Sequence, residues 1–281
     1  MEHPTNQLQY TTVRVIGNKG ANSQSVGTAF FFRFELNPTS YVPLLVTNIH
    51  VIAGCTEGTI SFHEAITRPD GVSQASSNSH TITLTDFEQQ WLKHPTEDLC
   101  AMRLGPIITA AQEQGKSLFY VPLRTDMIAT EEQLSDLLAL EEVVMVGYPN
   151  GLWDEVNNLP ILRRGSTAAH PAIDWQGRSR GVLDIGAYPG SSGSPVLIHN
   201  TGPFATRNGI AMGSRTYLLG ILSSTPIRRV DGEIVIETIP TTSLPIARTT
   251  LPFHLGYYIK ARELTLLARN IAAQLHQGMP L

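Results

Sequence analysis

The chain has 281 residues, 42% of them hydrophobic and 16% charged, with a formal net charge of −4. That composition supports a substantial core and one or two domains, while the acidic balance, with no basic cluster larger than a pair such as Arg163-Arg164, argues against nucleic-acid binding. No apolar run approaches bilayer-spanning length, and the two cysteines, Cys55 and Cys100, are too few for a disulfide framework.

The opening stretch, MEHPTNQLQY, lacks a charged-then-apolar secretion pattern, so with the low cysteine count the chain reads as cytosolic. Short runs rich in Val, Ile, Thr and Phe follow, separated by turn residues: YTTVRVIG, GTAFFFRFEL, VPLLVTNIHVIA, GTISFHEAI, HTITLTDF and DLCAMRL. These read as strands. TDMIATEEQLSDLLALEE reads as locally helical, with Thr130 and then Glu132 and Gln133 as a weak start signal. The junction between two halves is placed there, giving expected units of 1–120, a linker of 121–140 with a short helix, and 141–281.

A second series of strand-like runs follows: EEVVMVGYP, PILRRGSTAA, GVLDIGA, SPVLIHN, TYLLGILSS, GEIVIETI and LGYYIKA. RRVDGEIVIE reads as a hairpin with Asp231-Gly232 at its turn. Many short strands at regular spacing predict an all-β sandwich or barrel architecture. The end carries Leu264, Leu267, Ala268, Ile271 and Leu275 at helical spacing, which predicts a closing helix over about 260–277, packed on the second barrel.

Three residues at strand boundaries form a chemical set. His50 ends the apolar run LLVTNIHVIAG, Asp98 heads the run DLCAMRL, and Ser192 lies in the glycine-bracketed turn YPGSSGSPVL. A serine hydroxyl needs a base to become a nucleophile at neutral pH, and imidazole suits that task. The imidazole in turn needs a carboxylate to fix its tautomer. Gly190 lets the backbone approach a substrate carbonyl, so that the amides of Gly190 and Ser192 can stabilise an oxyanion. Each residue alone is ordinary; the ordered set is specific. Asp86 and Asp126 are alternative carboxylates, but neither heads an apolar strand.

These segments resemble trypsin-like serine peptidases of the chymotrypsin fold, most closely the bacterial high-temperature-requirement (Deg) proteases and their stand-alone relatives. LVTNIHVI is similar to the family's histidine segment, DLCAMRL to its aspartate segment and DIGAYPGSSGSPVL to its serine segment. VVMVGYPNGL and YLLGILSS resemble two further strands, so the likeness runs from about Val13 to Ile259. It implies two six-stranded antiparallel barrels with a cleft between them, His50 and Asp98 on the first and Ser192 on the second. It also implies a bacterial, cytoplasmic endopeptidase acting on protein or peptide substrates. No PDZ-like module follows the second barrel, and Ser194 stands where a glycine is common. Ser191 replaces the aspartate on which zymogen activation depends, so no N-terminal processing is expected.

By the same resemblance, the pocket for the residue before the cleaved bond is walled by Ile185 to Pro189 and by Leu222, Ser223, Ser224 and Thr225, with Leu255 and Gly256 at its base. Gly186 and Ala187 line it, and Asp184 is set too early on its strand to reach the base. The pocket is therefore expected to carry no charge and to accept apolar side chains. No HExxH, CxxC or phosphate-binding glycine loop is present, so no metal or organic cofactor is expected. Cys55 and Cys100 read as small core residues. The alternative reading is a catalytically silent protease-fold scaffold. An esterase of the α/β-hydrolase type fails on residue order, since His50 precedes Ser192. A regulatory partner or narrow specificity would each restrain such a protease; the oligomeric state has no sequence signature.

Overall fold

The computed structural model describes residues 3–20, 23–224, 227–233, 246–252 and 254–276. A one-turn helix α1 (Pro4–Gln7) leads into strands β1 (Thr12–Asn18), β2 (Gln24–Asn37) and β3 (Ser40–Thr47). The short helix α2 (Ile49–Ile52) precedes β4 (Glu57–Thr67), β5 (Ser73–Thr85), β6 (Leu92–Lys93) and β7 (Cys100–Arg103). The connection holds α3 (Gly105–Glu113), β8 (Leu118–Phe119), β9 (Leu123–Arg124) and α4 (Glu131–Asp136). Then come β10 (Glu142–Gly147), β11 (Ile161–Thr167), β12 (Arg180–Asp184), β13 (Pro195–Thr206) and β14 (Gly209–Ser224). The chain closes with β15 (Ile227–Glu233), β16 (Ile246–Pro252), β17 (Leu255–Lys260) and the helix α5 (Arg262–His276).

The first half forms a nine-stranded sheet in the order β5-β4-β1-β2-β3-β7-β6, with β8 on β4 and β9 on β2. Three of these strands, β6, β8 and β9, are only two residues long, so the expected six strands make up its body. The second half closes as a barrel, β10-β11-β12-β17-β14-β13, whose six pairings are all antiparallel. Together with α5 this is the chymotrypsin-like, two-barrel, all-β architecture expected from the sequence.

Side-chain alternation explains why the central strands read as unbroken apolar runs. On β2, Ala29 and Phe31 face a core inside the first sheet, while Phe30, Phe32 and Phe34 face a second core between the halves. On β10, Val143 and Met145 face the interior of the second barrel, and Val144 and Val146 face the shared core. Strands buried on both faces lose the polar positions that mark a half-buried strand. Cys55 and Cys100 are buried and unpaired in the first core, and burial pushes the Cys100 thiol well up from its ordinary value.

Three expectations need correction or trimming. The helical stretch in the connection shrinks to α4, which Thr130 and Gln133 start with a reciprocal capping box. Asp231 and Gly232 are not a turn: they lie inside β15, paired with Arg248 and Ala247 of β16, because the Ile246–Pro252 segment offers the register instead. Helix α5 sits over the shared core, not on the second barrel alone. Its Leu264, Leu267, Ala268 and Ile271 are all buried beside residues of both halves, each large side chain contributing about 1.5–3 kcal/mol. Polar ties confirm the straddling position. Glu263 approaches the buried ring of His94 in the first half at 3.4 Å, and Arg262 binds Asp174 of the second at 2.6 Å. Among the described residues no helix is long and apolar enough to cross a membrane.

Candidate active site

The carboxylate and imidazole come from the first sheet. After β3, Asn48 is fully buried and donates its side-chain amide to the Asp98 carbonyl at 2.7 Å, which fixes the loop ahead of β7. Asp98 then accepts twice from His50: from the backbone amide at 3.0 Å and from ring Nδ1 at 2.6 Å. An ionised carboxylate can only accept, so Nδ1 carries the proton and Nε2 is left with its lone pair free to act as a base. Burial pushes the Asp98 carboxyl up. The hydrogen bonds and charge of His50, with one from Ser223, outweigh that and hold it below the usual carboxylate range. Asp86 instead occupies a left-handed position ahead of a short turn, and Asp126 forms a two-pronged pair with Arg124.

The serine turn belongs to the second barrel, between β12 and β13, and its glycines are sterically required. Gly190 has φ +88°, and a Cβ there would collide with the Tyr148 carbonyl. Gly193 has φ +87°, and a Cβ would run into the Thr28 carbonyl and the Thr47 hydroxyl. Ser191 and Ser194 are fully buried, whereas Ser192 is partly exposed. Ser194 fits because Gly147 has no side chain: a Cβ at Gly147 would stand on the Ser194 hydroxyl.

The turn is fastened to the first sheet by one residue. The Thr28 amide donates to the Ser192 carbonyl at 2.9 Å, and its hydroxyl donates to the Gly190 carbonyl at 2.9 Å while accepting from the Tyr148 amide at 3.1 Å. Thr47 in turn donates to the Thr28 carbonyl at 2.6 Å. Within the turn, the Ser191 amide donates to the Tyr188 carbonyl and the Gly193 amide to the Leu222 carbonyl, both at 2.9 Å. The amides of Gly190 and Ser192 have no acceptor among the described residues. They are the pair expected to hold an oxyanion.

The Ser192 hydroxyl donates to the Ser223 carbonyl at 3.5 Å, a long bond. Among the described residues no hydrogen bond joins it to His50, so proton transfer requires the hydroxyl to turn toward the imidazole. Ser223 also spans the halves, donating its own hydroxyl to Asp98 at 3.2 Å. Its side chain therefore orients the carboxylate and does not line a pocket, as the sequence reading had it.

The expected pocket is partly filled. Leu222 and Ala187 are 2% and 1% exposed and belong to the barrel core, and the Leu222 side chain packs where a Cβ on Gly256 would lie. Ser224 is exposed, and Thr225 lies outside the described residues. At Gly186, where an uncharged pocket was expected, a Cβ would overlap the guanidinium of Arg163. Arg163 comes from β11, opposite Met145 of β10, and so faces the barrel interior. The signal was present in ILRRGST: strand alternation cannot turn two adjacent arginines to the same side of a barrel wall. Thr28 and Ser223 gave no comparable signal, since a single hydroxyl in a strand has many uses.

Among the described residues no group of three or more His, Cys, Asp or Glu side chains gathers into a metal site. Residues 27–204 match the family described as "Trypsin-like peptidase domain". None of the curated proteins matches the sequence. Among solved structures, the active form of the Rv3671c protease from M. tuberculosis is similar over 94% of this chain and 81% of its own, at 13% identity and a TM-score of 0.45. The tobacco etch virus protease with bound product is similar over 97% of this chain and 82% of its own, at 11% identity and a TM-score of 0.49. At such scores neither likeness bears on this chain's chemistry.

Proposed function

As the chain belongs to the trypsin-like peptidase domain family, and so acts on proteins or peptides, we propose that it is a serine endopeptidase with Ser192 as nucleophile, His50 as base and acid, and Asp98 as the residue orienting His50. His50 Nε2 takes the Ser192 proton as Oγ attacks the scissile carbonyl. The oxyanion settles on the Gly190 and Ser192 amides. His50 then gives the proton to the leaving amine, and the C–N bond breaks to leave an ester on Ser192. Water, deprotonated by the same imidazole, cleaves that ester and restores the serine.

The observation that carries this reading is the His50–Asp98 pair, bonded at 2.6 and 3.0 Å and linked to Ser192 through Ser223, whose hydroxyl donates to Asp98 and whose carbonyl accepts from the Ser192 hydroxyl. One observation favours the silent-scaffold alternative: the Ser192 hydroxyl bonds Ser223 and not His50. The affinity to the Deg branch and the cytoplasmic setting belong to this proposal and rest on sequence motifs and composition. The preference for apolar residues expected from the sequence competes with the charge of Arg163 beside Gly186.

Profiling of newly formed protein termini, comparing cells carrying the wild type with cells carrying Ser192→Ala, tests the reading. A set of termini that vanishes with the variant supports an endopeptidase. Identical sets contradict it.

A further inference from the structure

The geometry points to Arg163 as the residue that selects substrates with an acidic side chain, Glu or Asp, at the residue whose carbonyl Ser192 attacks. This rests on the peptidase reading of the same site and adds the substrate class to it.

Arg163 is an inward-facing cation in an apolar barrel. Its strand neighbour across the ladder is Met145, part of a core that includes Leu183, Ile185 and Leu222. Its guanidinium lies against Gly186, occupying the place of the absent side chain, and sits 4.9 Å over the ring of Tyr188. From Tyr188 the chain runs directly into Gly190 and Ser192. The guanidinium is thus fixed beside the segment that leads to the nucleophile, and cation–π stacking holds it there.

The other bank of this space is the end of β14. The Ser223 carbonyl is 3.5 Å from the Ser192 hydroxyl, and the Leu222 carbonyl accepts from the Gly193 amide. A substrate side chain next to the attacked carbonyl, entering between β14 and the Gly186–Tyr188 segment, meets the guanidinium as the charged group of that wall. Leu222 and Ala187 are buried in the barrel core beside it.

Several arginines are paired with a carboxylate, and Arg163 is not. Arg215 binds Glu141 at 2.6 Å, Arg262 binds Asp174 at 2.6 Å, and Arg180 binds Glu97 at 3.3 Å. Even the adjacent Arg164 has Glu142 at 3.7 Å. Arg163 has no ion pair and no hydrogen bond to a described residue, and it is only partly buried. A guanidinium is always charged and offers five donors in a planar fork. Asp184, two residues before Gly186, is exposed on β12 and forms no ion pair with Arg163. A carboxylate from the substrate supplies the missing acceptor by a two-pronged, charge-assisted contact. A lysine or arginine there is repelled, and an aliphatic residue leaves the fork unpaired.

The test uses peptides that differ only at the cleaved residue, Glu, Gln, Asp, Leu or Lys, and reads kcat/KM. Wild type is expected to prefer Glu over Gln by about 10- to 100-fold, the worth of hydrogen bonds to a charged group. That ratio should shrink as salt is raised. Arg163→Leu and the more conservative Arg163→Gln should bring the ratio toward one, and Arg163→Glu should favour Lys over Glu. Labelling of Ser192 by a fluorophosphonate reports whether each variant still assembles its active site, and the salt dependence of the wild type needs no variant at all. Equal cleavage after Glu and Gln, or a ratio that Arg163→Leu and Arg163→Gln leave intact, overturns this inference while the peptidase stands. A wild-type protein that neither labels nor cleaves any of the peptides overturns both.

Discussion

His50 and Asp98 sit on neighbouring strand ends of one sheet and are already joined by two hydrogen bonds, at 3.0 and 2.6 Å. Ser192 sits in a turn of the other half whose backbone is held by hydrogen bonds but whose hydroxyl points at the Ser223 carbonyl, 3.5 Å away. The difference shows how the two halves divide the task. Charge pairing is built into a single sheet, where folding alone completes it. Two hydrogen bonds join the halves here, from Thr28 to the serine turn and from Ser223 to Asp98. On the proposed reading, substrate binding completes the site by turning one hydroxyl.

The comparison breaks most severely if either half loses its reactive group. Ser192→Ala and His50→Ala should each lower peptide hydrolysis by about 10³-fold or more, because the members act as a unit. Asp98→Asn should cost somewhat less. Steady-state kinetics on one peptide decides it. Full activity in Asp98→Asn beside a dead Asp86→Asn would reassign the carboxylate.

Next in size come the glycines that set the serine backbone. Gly190→Ala or Gly193→Ala forces a Cβ onto neighbouring backbone at a positive φ, a strain of about 1–3 kcal/mol before any clash is counted. Both variants should lose activity and melt at lower temperature. A Gly193→Ala protein with wild-type kinetics and melting would mean the turn is not held as described.

A finer test cuts the cross-link and leaves both reactive groups in place. Thr28→Val keeps the shape of the side chain but leaves the Gly190 carbonyl and Tyr148 amide without their hydroxyl partner. The expected loss is about 1–3 kcal/mol of stability, with kcat reduced more than KM is raised. Unchanged kinetics with lowered stability would make Thr28 a purely structural residue.

The smallest effect is in acid. Asp98 has a lowered pKa in the folded state, so the stability it contributes is complete above its unfolded value of about 3.9 and is lost as pH falls through the lower folded value. The gap in melting temperature between wild type and Asp98→Asn should narrow as pH falls below about 4. A gap that does not narrow there would contradict the assignment.

Much of this was legible in the sequence because it depended on local chemistry. Gly190 and Gly193 announce a turn that no side chain fits, His50 follows one apolar strand and Asp98 precedes another. The α5 stripe of Leu264, Leu267, Ala268 and Ile271 was equally plain, though not that both halves would share it. Asp231-Gly232 misled because a turn dipeptide also pairs in a ladder when another strand offers the register. Arg163 was missed as a neighbour of Gly186 for a different reason: the pocket was read from residues close to Ser192 in sequence, and Arg163 reaches Gly186 from the adjacent strand β11.

The most direct measurement is intact-mass and peptide-mapping analysis after treatment with a fluorophosphonate. Ser191 and Ser194 are fully buried and Ser192 is partly exposed, so wild type should gain a single adduct, on Ser192. Ser192→Ala should gain none, and His50→Ala should react far more slowly. An unmodified wild-type protein, or an adduct that persists in Ser192→Ala, would contradict the account.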